Sequence, residues 1–133
     1  MNKEEISRLI NPSFKIEQNQ LKGDFDDLCV AFMESPRHTI LEIGTYSGCT
    51  LSSFITLQCA QNIINPLVIS IDNATYPITR TPNEYIKLVT DNLVGVGTDT
   101  SNLRIFVQDS HSKDCEDTLV AVLNGRKLDF VFI

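Results

Sequence analysis

Long hydrophobic runs are missing from this 133-residue chain. No apolar stretch approaches the ~20 residues that a membrane-spanning helix needs, so no span is expected. The opening Met1-Asn2-Lys3-Glu4-Glu5 also lacks the apolar segment of a secretory signal. Basic residues are few, 11 Lys and Arg against 17 Asp and Glu, for a formal net charge of −6. They are scattered, whereas a surface that tracks phosphates or anionic lipid needs them clustered. Nucleic acid and membrane are therefore not expected as partners. Cysteine is scarce too: Cys29, Cys49, Cys59 and Cys115 include no C-x-x-C pair for zinc or redox chemistry. Cys29, Cys59 and Cys115 fall on helical apolar stripes, where a free thiol behaves as a small hydrophobe. Reduced, structural thiols fit a cytoplasmic protein.

What is present fits one globular domain with one modest core. The first twenty residues show no clear period, and Asn11-Pro12 would interrupt a helix there. From Asp24 a helical spacing appears in Phe25, Leu28, Cys29 and Phe32, with Asp26 and Asp27 in the first turn and Pro36 forcing an end. Residues 1–35 therefore read as a helical segment. From 36 to 133 strands and helices alternate. The strands are 39–43, 67–71, 103–107 and 128–133. The helices cover 48–63, the stretch holding Ile86, Val89 and Leu93, and the stretch from Cys115 to Leu123, which Asn124-Gly125 closes. Continuous rather than alternating apolar strands mark a parallel sheet covered on both faces, and right-handed crossovers make it doubly wound.

In such a sheet ligands bind beyond the carboxyl ends of the strands. Glu42-Ile43-Gly44-Thr45-Tyr46-Ser47-Gly48 follows the first strand and opens directly into a helix. Two glycines let the backbone approach a ligand, and the helix N-terminus offers unpaired N–H groups. A tight turn with no ligand would use the same two glycines. Asp72 follows the second strand, where a carboxylate accepts hydrogen bonds from a ribose diol or, more plainly, caps a turn. Gln108-Asp109-Ser110-His111 follows the third. Asp109 and Ser110 are candidates for the edge of a purine, while His111 fits a surface or capping role as readily as a ligand contact. His38 and Asp129 stand at the opposite edge and are expected to be structural. Three polar devices on one edge together describe a pocket for an adenosine-bearing cofactor.

These residues resemble the motifs of class I S-adenosylmethionine-dependent methyltransferases: Glu42-x-Gly44-x-x-x-Gly48 after a strand, Asp72 after the next and Asp109 after the third. Ile40 to Thr45, Ile69 to Asp72, Asp109-Ser110-His111 and Gly125 to Ile133 are similar to the cephalosporin hydroxylase and rhamnosyl O-methyltransferase group, over roughly residues 16 to 133. The resemblance implies a Rossmann-like α/β sheet in strand order 3-2-1-4 and S-adenosylmethionine as cofactor. Gly44 and Gly48 would face its methionine moiety, Asp72 would hold the ribose and Asp109 would approach the adenine. Glu42 would order the loop, and Thr45 and Ser110 complete the expected cofactor-binding set. Tyr46 departs from the many methyltransferases that have a third glycine there, which implies a stiffer or wider loop. The family also continues past the fourth strand with an Asp-Gly-Asp-His run that supplies metal-binding or catalytic groups. This sequence stops at Ile133, so it is expected to be truncated after the fourth strand and to hold the cofactor-binding half. The catalytic residues, and any divalent metal, would belong to a longer parent.

The expected activity is O-methyl transfer to a small-molecule or sugar acceptor, with this chain alone inactive. Its apolar fourth-strand edge would be a route to self-association. Two readings stand beside this one. A dehydrogenase shares the fold and the glycine turn, but the G-x-G-x-x-G fingerprint fails at Tyr46 and Asp72 lies further along than its acidic residue. The other is a noncatalytic fragment that binds the cofactor.

Overall fold

The computed structural model describes residues 1–133. It opens on α1 (Lys3–Ile10), a helix inside the expected helical segment but in a stretch where the sequence shows no clear period. The Asn2 side chain accepts from the Glu5 N–H at 2.9 Å, while the Glu5 carboxylate accepts from the Asn2 N–H at 2.8 Å. That reciprocal cap satisfies two donors a helix start otherwise leaves unpaired. Ile6 and Ile10, four apart, are its buried positions, too few to show a period in sequence. Asn11-Pro12 does end the α-helix, through a 3-10 turn over Asn11–Lys15.

Helix α2 (Lys22–Met33) begins two residues before the expected start at Asp24 and ends short of Pro36. Asp26 therefore lies beyond the first turn, buried and paired with Lys22 at 2.6 Å. The remaining order is β1 (Thr39–Ile43), α3 (Cys49–Ala60), β2 (Leu67–Asp72), α4 (Pro82–Gly95), β3 (Leu103–Val107), α5 (Lys113–Leu123) and β4 (Phe130–Phe132). Asn124 and Gly125 both take left-handed backbone at the end of α5, as their sequence promised.

All four strands are parallel, in the order β3-β2-β1-β4. The fold is α/β, a Rossmann-like doubly wound sheet. Side chains alternate across it. Ile40, Val68, Leu103, Ile105 and Phe130 join the larger core with α1, α2, α3 and α4, while Leu41, Ile69, Ile71 and Phe106 meet α5 on the other face. Residues of the first 35 thus share one core with the sheet: Phe32 stacks on Phe54 at 5.2 Å and meets Phe130 edge-on at 4.9 Å. Cys29, Cys49 and Cys115 are buried, but Cys59 is exposed, contrary to its expected place on a buried stripe.

The amino ends of the strands are tied by polar groups. The Asp129 carboxylate accepts from the His38 and Thr39 N–H groups at 2.7 and 3.0 Å. Arg37 donates to the Phe32 and Asp129 carbonyls, and Arg126 to the His38 and Asn65 carbonyls. His38 and Asp129 are structural, as expected, and they leave the carboxyl ends of the strands as the open end of the sheet. No helix is long and apolar enough to cross a membrane.

Candidate functional site

The turn after β1 is positioned by the helix that follows β2. Gly44 and Gly48 both have positive φ, +83° and +102°, and Tyr46 between them adopts +56°, a conformation that costs a non-glycine residue energy. Three contacts hold it there. The Tyr46 N–H donates to the Asp72 carboxylate at 3.1 Å, the Tyr85 hydroxyl donates to the Tyr46 carbonyl at 2.9 Å, and the Asn92 amide donates to the Ser47 carbonyl at 3.0 Å. Tyr85 and Asn92 lie on α4, and neither was singled out in the sequence. Burial pushes the Tyr85 phenol far above its ordinary pKa, with Asp72 adding to the effect, so it remains a donor.

Gly48 serves this same packing. A Cβ on it would lie 2.6 Å from Leu93 Cδ1, so the residue's smallness admits α4 to the turn. Gly44 has open space where its Cβ would be, and it faces the cleft.

That cleft has two lobes that share Gly44. The first, about 180 Å3, lies across the ends of β2 and β3 and is lined by Asp72, Asn73, Gln108, Asp109, Ser110 and His111. The second, about 160 Å3, lies between the glycine turn and residues 17–20, with Tyr46, Thr50 and Phe132 in its wall. A larger groove of about 370 Å3, between Lys15 and Arg80 and the helix α4, is lined by no strand residue but takes in Ser47 of the glycine turn and shares Glu17 with the second lobe.

The expected residues divide between these places. Gly44, Asp72, Asp109 and Ser110 line the first lobe together, and His111 joins them. Asp72 is anchored through both oxygens, to the Tyr46 N–H and to the Ala74 N–H at 2.7 Å. Each oxygen keeps a further lone pair for a ligand hydroxyl. Asp109 and His111 form a local turn, the His111 N–H donating to Asp109 Oδ1 at 2.9 Å. Thr45 lines the second lobe, but its hydroxyl is engaged with Ser70 at 2.5 Å. Gly48 lines neither lobe.

Glu42 is fully buried beneath the turn. Its Oε1 accepts from the Thr50 hydroxyl at 2.6 Å and its Oε2 has no partner. Burial lifts this carboxyl to about 8 against the opposing effect of Thr50, with the Asp72 charge adding to the rise. At neutral pH it is mainly protonated and ties the end of β1 to the first turn of α3. No group of three or more His, Cys, Asp or Glu side chains is placed to hold a metal ion, so these residues do not assemble a divalent-metal site.

No protein-family model matches the chain, and no curated protein matches its sequence. Solved structures do. Cofactor-bound Rv0187 from MTB superposes with a TM-score of 0.58 at 19% identity, covering 98% of this chain and 50% of its own. The likeness is one of fold. A protein assigned as an O-methyltransferase from Klebsiella pneumoniae superposes at 0.54 and 15% identity, covering 96% of this chain and 51% of its own. The chain thus spans about half the length of the solved structures it matches.

Proposed function

We propose that the cleft binds S-adenosylmethionine and that the chain is the cofactor-binding half of an O-methyltransferase acting on a small molecule or sugar. The charge of the cleft carries this reading. Its two lobes are lined by Glu17, Asp72 and Asp109 and by no Lys or Arg. A dinucleotide brings a pyrophosphate, for which this wall offers no Lys or Arg partner. S-adenosylmethionine has no phosphate and a net positive charge. Its ribose suits the anchored Asp72 carboxylate, and its adenine suits the Asp109–Ser110 edge. The open face of Gly44, where the lobes meet, admits the sulfur between the ribose and the amino-acid end.

The superposed structures support the same reading, since one holds a cofactor and another is assigned as an O-methyltransferase. When bound, the cofactor supplies an electrophilic methyl group on a sulfonium sulfur. The chain's share is to fix that methyl in place on a braced turn, the kind of positioning that lowers a bimolecular barrier.

Calorimetry with S-adenosylhomocysteine and with NAD tests the proposal directly. The expected result is binding of the former alone. Asp72→Ala removes a charge-assisted acceptor and weakens it roughly tenfold to a hundredfold, the equivalent of about 1.5–3 kcal/mol. Preference for NAD, or equal affinity in wild type and a folded Asp72→Ala variant, would overturn it.

A further inference from the structure

The amino ends of the strands hold a groove of their own. About 360 Å3 of space opens there, between the starts of β2 and β3 and the end of α5. Arg104 and Arg126 line it, and no Asp or Glu does, in a chain whose 17 acidic residues outnumber its 11 basic ones. Lys3, Lys22, Lys87 and Lys113 each pair with a carboxylate, whereas neither of these arginines does. Both guanidinium groups are held from one side only. Arg126 donates through Nε to the Thr39 hydroxyl at 3.2 Å, and through Nη2 to the His38 and Asn65 carbonyls at 3.3 and 2.7 Å. Arg104 donates through Nη1 to the Leu103 carbonyl at 2.9 Å. That leaves Nη1 of Arg126, and the edge formed by Nε and Nη2 of Arg104, with hydrogens to donate. Such an edge takes two oxygens of one anion through parallel bonds. Asn65 and Asn102 add amide donors, and Val122 and Leu123 give the groove an apolar wall. The last carbonyls of α5 bring about half a negative charge to this end, against two full positive ones.

We propose that this groove binds the phosphate monoester of a small organic molecule, at a second site distinct from the cofactor cleft. Two held cations match the near-dianion that a phosphate monoester carries at neutral pH. A carboxylate brings a single charge and leaves one guanidinium without a partner. The volume falls in the range of small-molecule pockets, so a free inorganic anion would leave most of it empty. Val122 and Leu123 suit the apolar or ring body that would fill the rest. The residues of the groove line neither lobe of the cleft, so the site stands whether or not the cofactor reading does.

The test is a titration of the isotope-labelled chain with phenyl phosphate, followed through backbone amide chemical shifts, with inorganic phosphate and benzoate as comparisons. Phenyl phosphate is expected to saturate and to move the amides of Asn65, Asn102, Arg104 and Arg126, leaving those of Asp72 and Asp109 in place. It should bind several-fold more tightly than inorganic phosphate, which lacks the body, and than benzoate, which lacks the second charge. Arg104→Gln removes the free guanidinium edge and should weaken phenyl phosphate about tenfold. Arg104 is exposed, so the variant keeps the fold, and its unchanged shifts outside the groove are the check. Arg8→Gln removes the same charge from an exposed position on α1 and should leave the affinity unchanged. Shifts that never saturate, or that fall in the cleft instead, would overturn the proposal. So would equal weakening by Arg8→Gln and Arg104→Gln, which would reduce the effect to net charge. Benzoate binding as tightly as phenyl phosphate would overturn the assignment to a phosphate monoester.

Discussion

The two lobes of the cleft are built in opposite ways. Around the glycine turn most polar groups are committed to a distant part of the chain, Tyr46 to Asp72 and Tyr85, Ser47 to Asn92 and Thr45 to Ser70, while Glu42 bonds across the turn to Thr50. At the end of β3 the bonds are local, between Asp109 and its next few neighbours, and Asp109 and His111 are exposed. The first lobe's far rim can change residue by residue. The turn cannot, because its backbone shape depends on side chains of β2, α3 and α4 together.

Gly48→Ala strikes the braced side hardest. The added carbon would meet Leu93 at 2.6 Å and Val89 at 3.3 Å, on backbone already at φ +102°. Overpacking and left-handed strain together should cost about 2–4 kcal/mol. An unchanged melting temperature would show that α4 is free to move aside. Tyr85→Phe is next. It keeps the buried ring and deletes the donor to the Tyr46 carbonyl, at about 1–2 kcal/mol in urea unfolding, with weaker cofactor binding alongside. No shift in the urea midpoint would mean that the turn does not rely on this bond.

Glu42 gives the braced side a pH signature. Its folded value of about 8 lies above its ordinary 4.5. Between those values the folded chain keeps a proton that the unfolded chain releases, so wild type loses stability as pH rises through that window. Glu42→Gln keeps an acceptor for Thr50 and has no proton to lose. Its advantage over wild type should grow from pH 4.5 to 8 by at most about 1.4 kcal/mol per pH unit, then level off. A difference that does not move with pH would show the carboxylate ionised in the fold. On the exposed rim, His111→Ala should change S-adenosylhomocysteine affinity by less than about threefold, and stability by less than about 0.5 kcal/mol. A tenfold loss would erase the contrast between the lobes.

The strands were legible because buried parallel strands read as continuous apolar runs, and Ile40, Val68, Ile69 and Ile105 lie where those runs placed them. Gly44, Asp72 and Asp109 were legible because topology alone sends residues after parallel strands to one edge. The bounds of helix α1 within the expected helical segment escaped because two isoleucines make no period, although Asn2 and Glu5 carried the capping signal. Tyr85 and Asn92 bond to backbone carbonyls 39 and 45 positions away, and no local pattern encodes such a pairing. Gly48 has the residue type expected of a ligand turn, but its constraint comes from Leu93, a neighbour visible only in space.

The order of the sheet also sets a timetable. β1 is central, flanked by β2 and by β4, and Thr39 meets Asp129 across 90 residues of sequence. On a ribosome that separation is a delay on the order of ten seconds. Throughout it Ile40 and Leu41 line an unpaired strand edge, with the Phe32 and Phe54 rings waiting for Phe130. Until β4 docks, that edge keeps its backbone groups unpaired and its apolar side chains uncovered, the kind of edge that invites pairing with another chain.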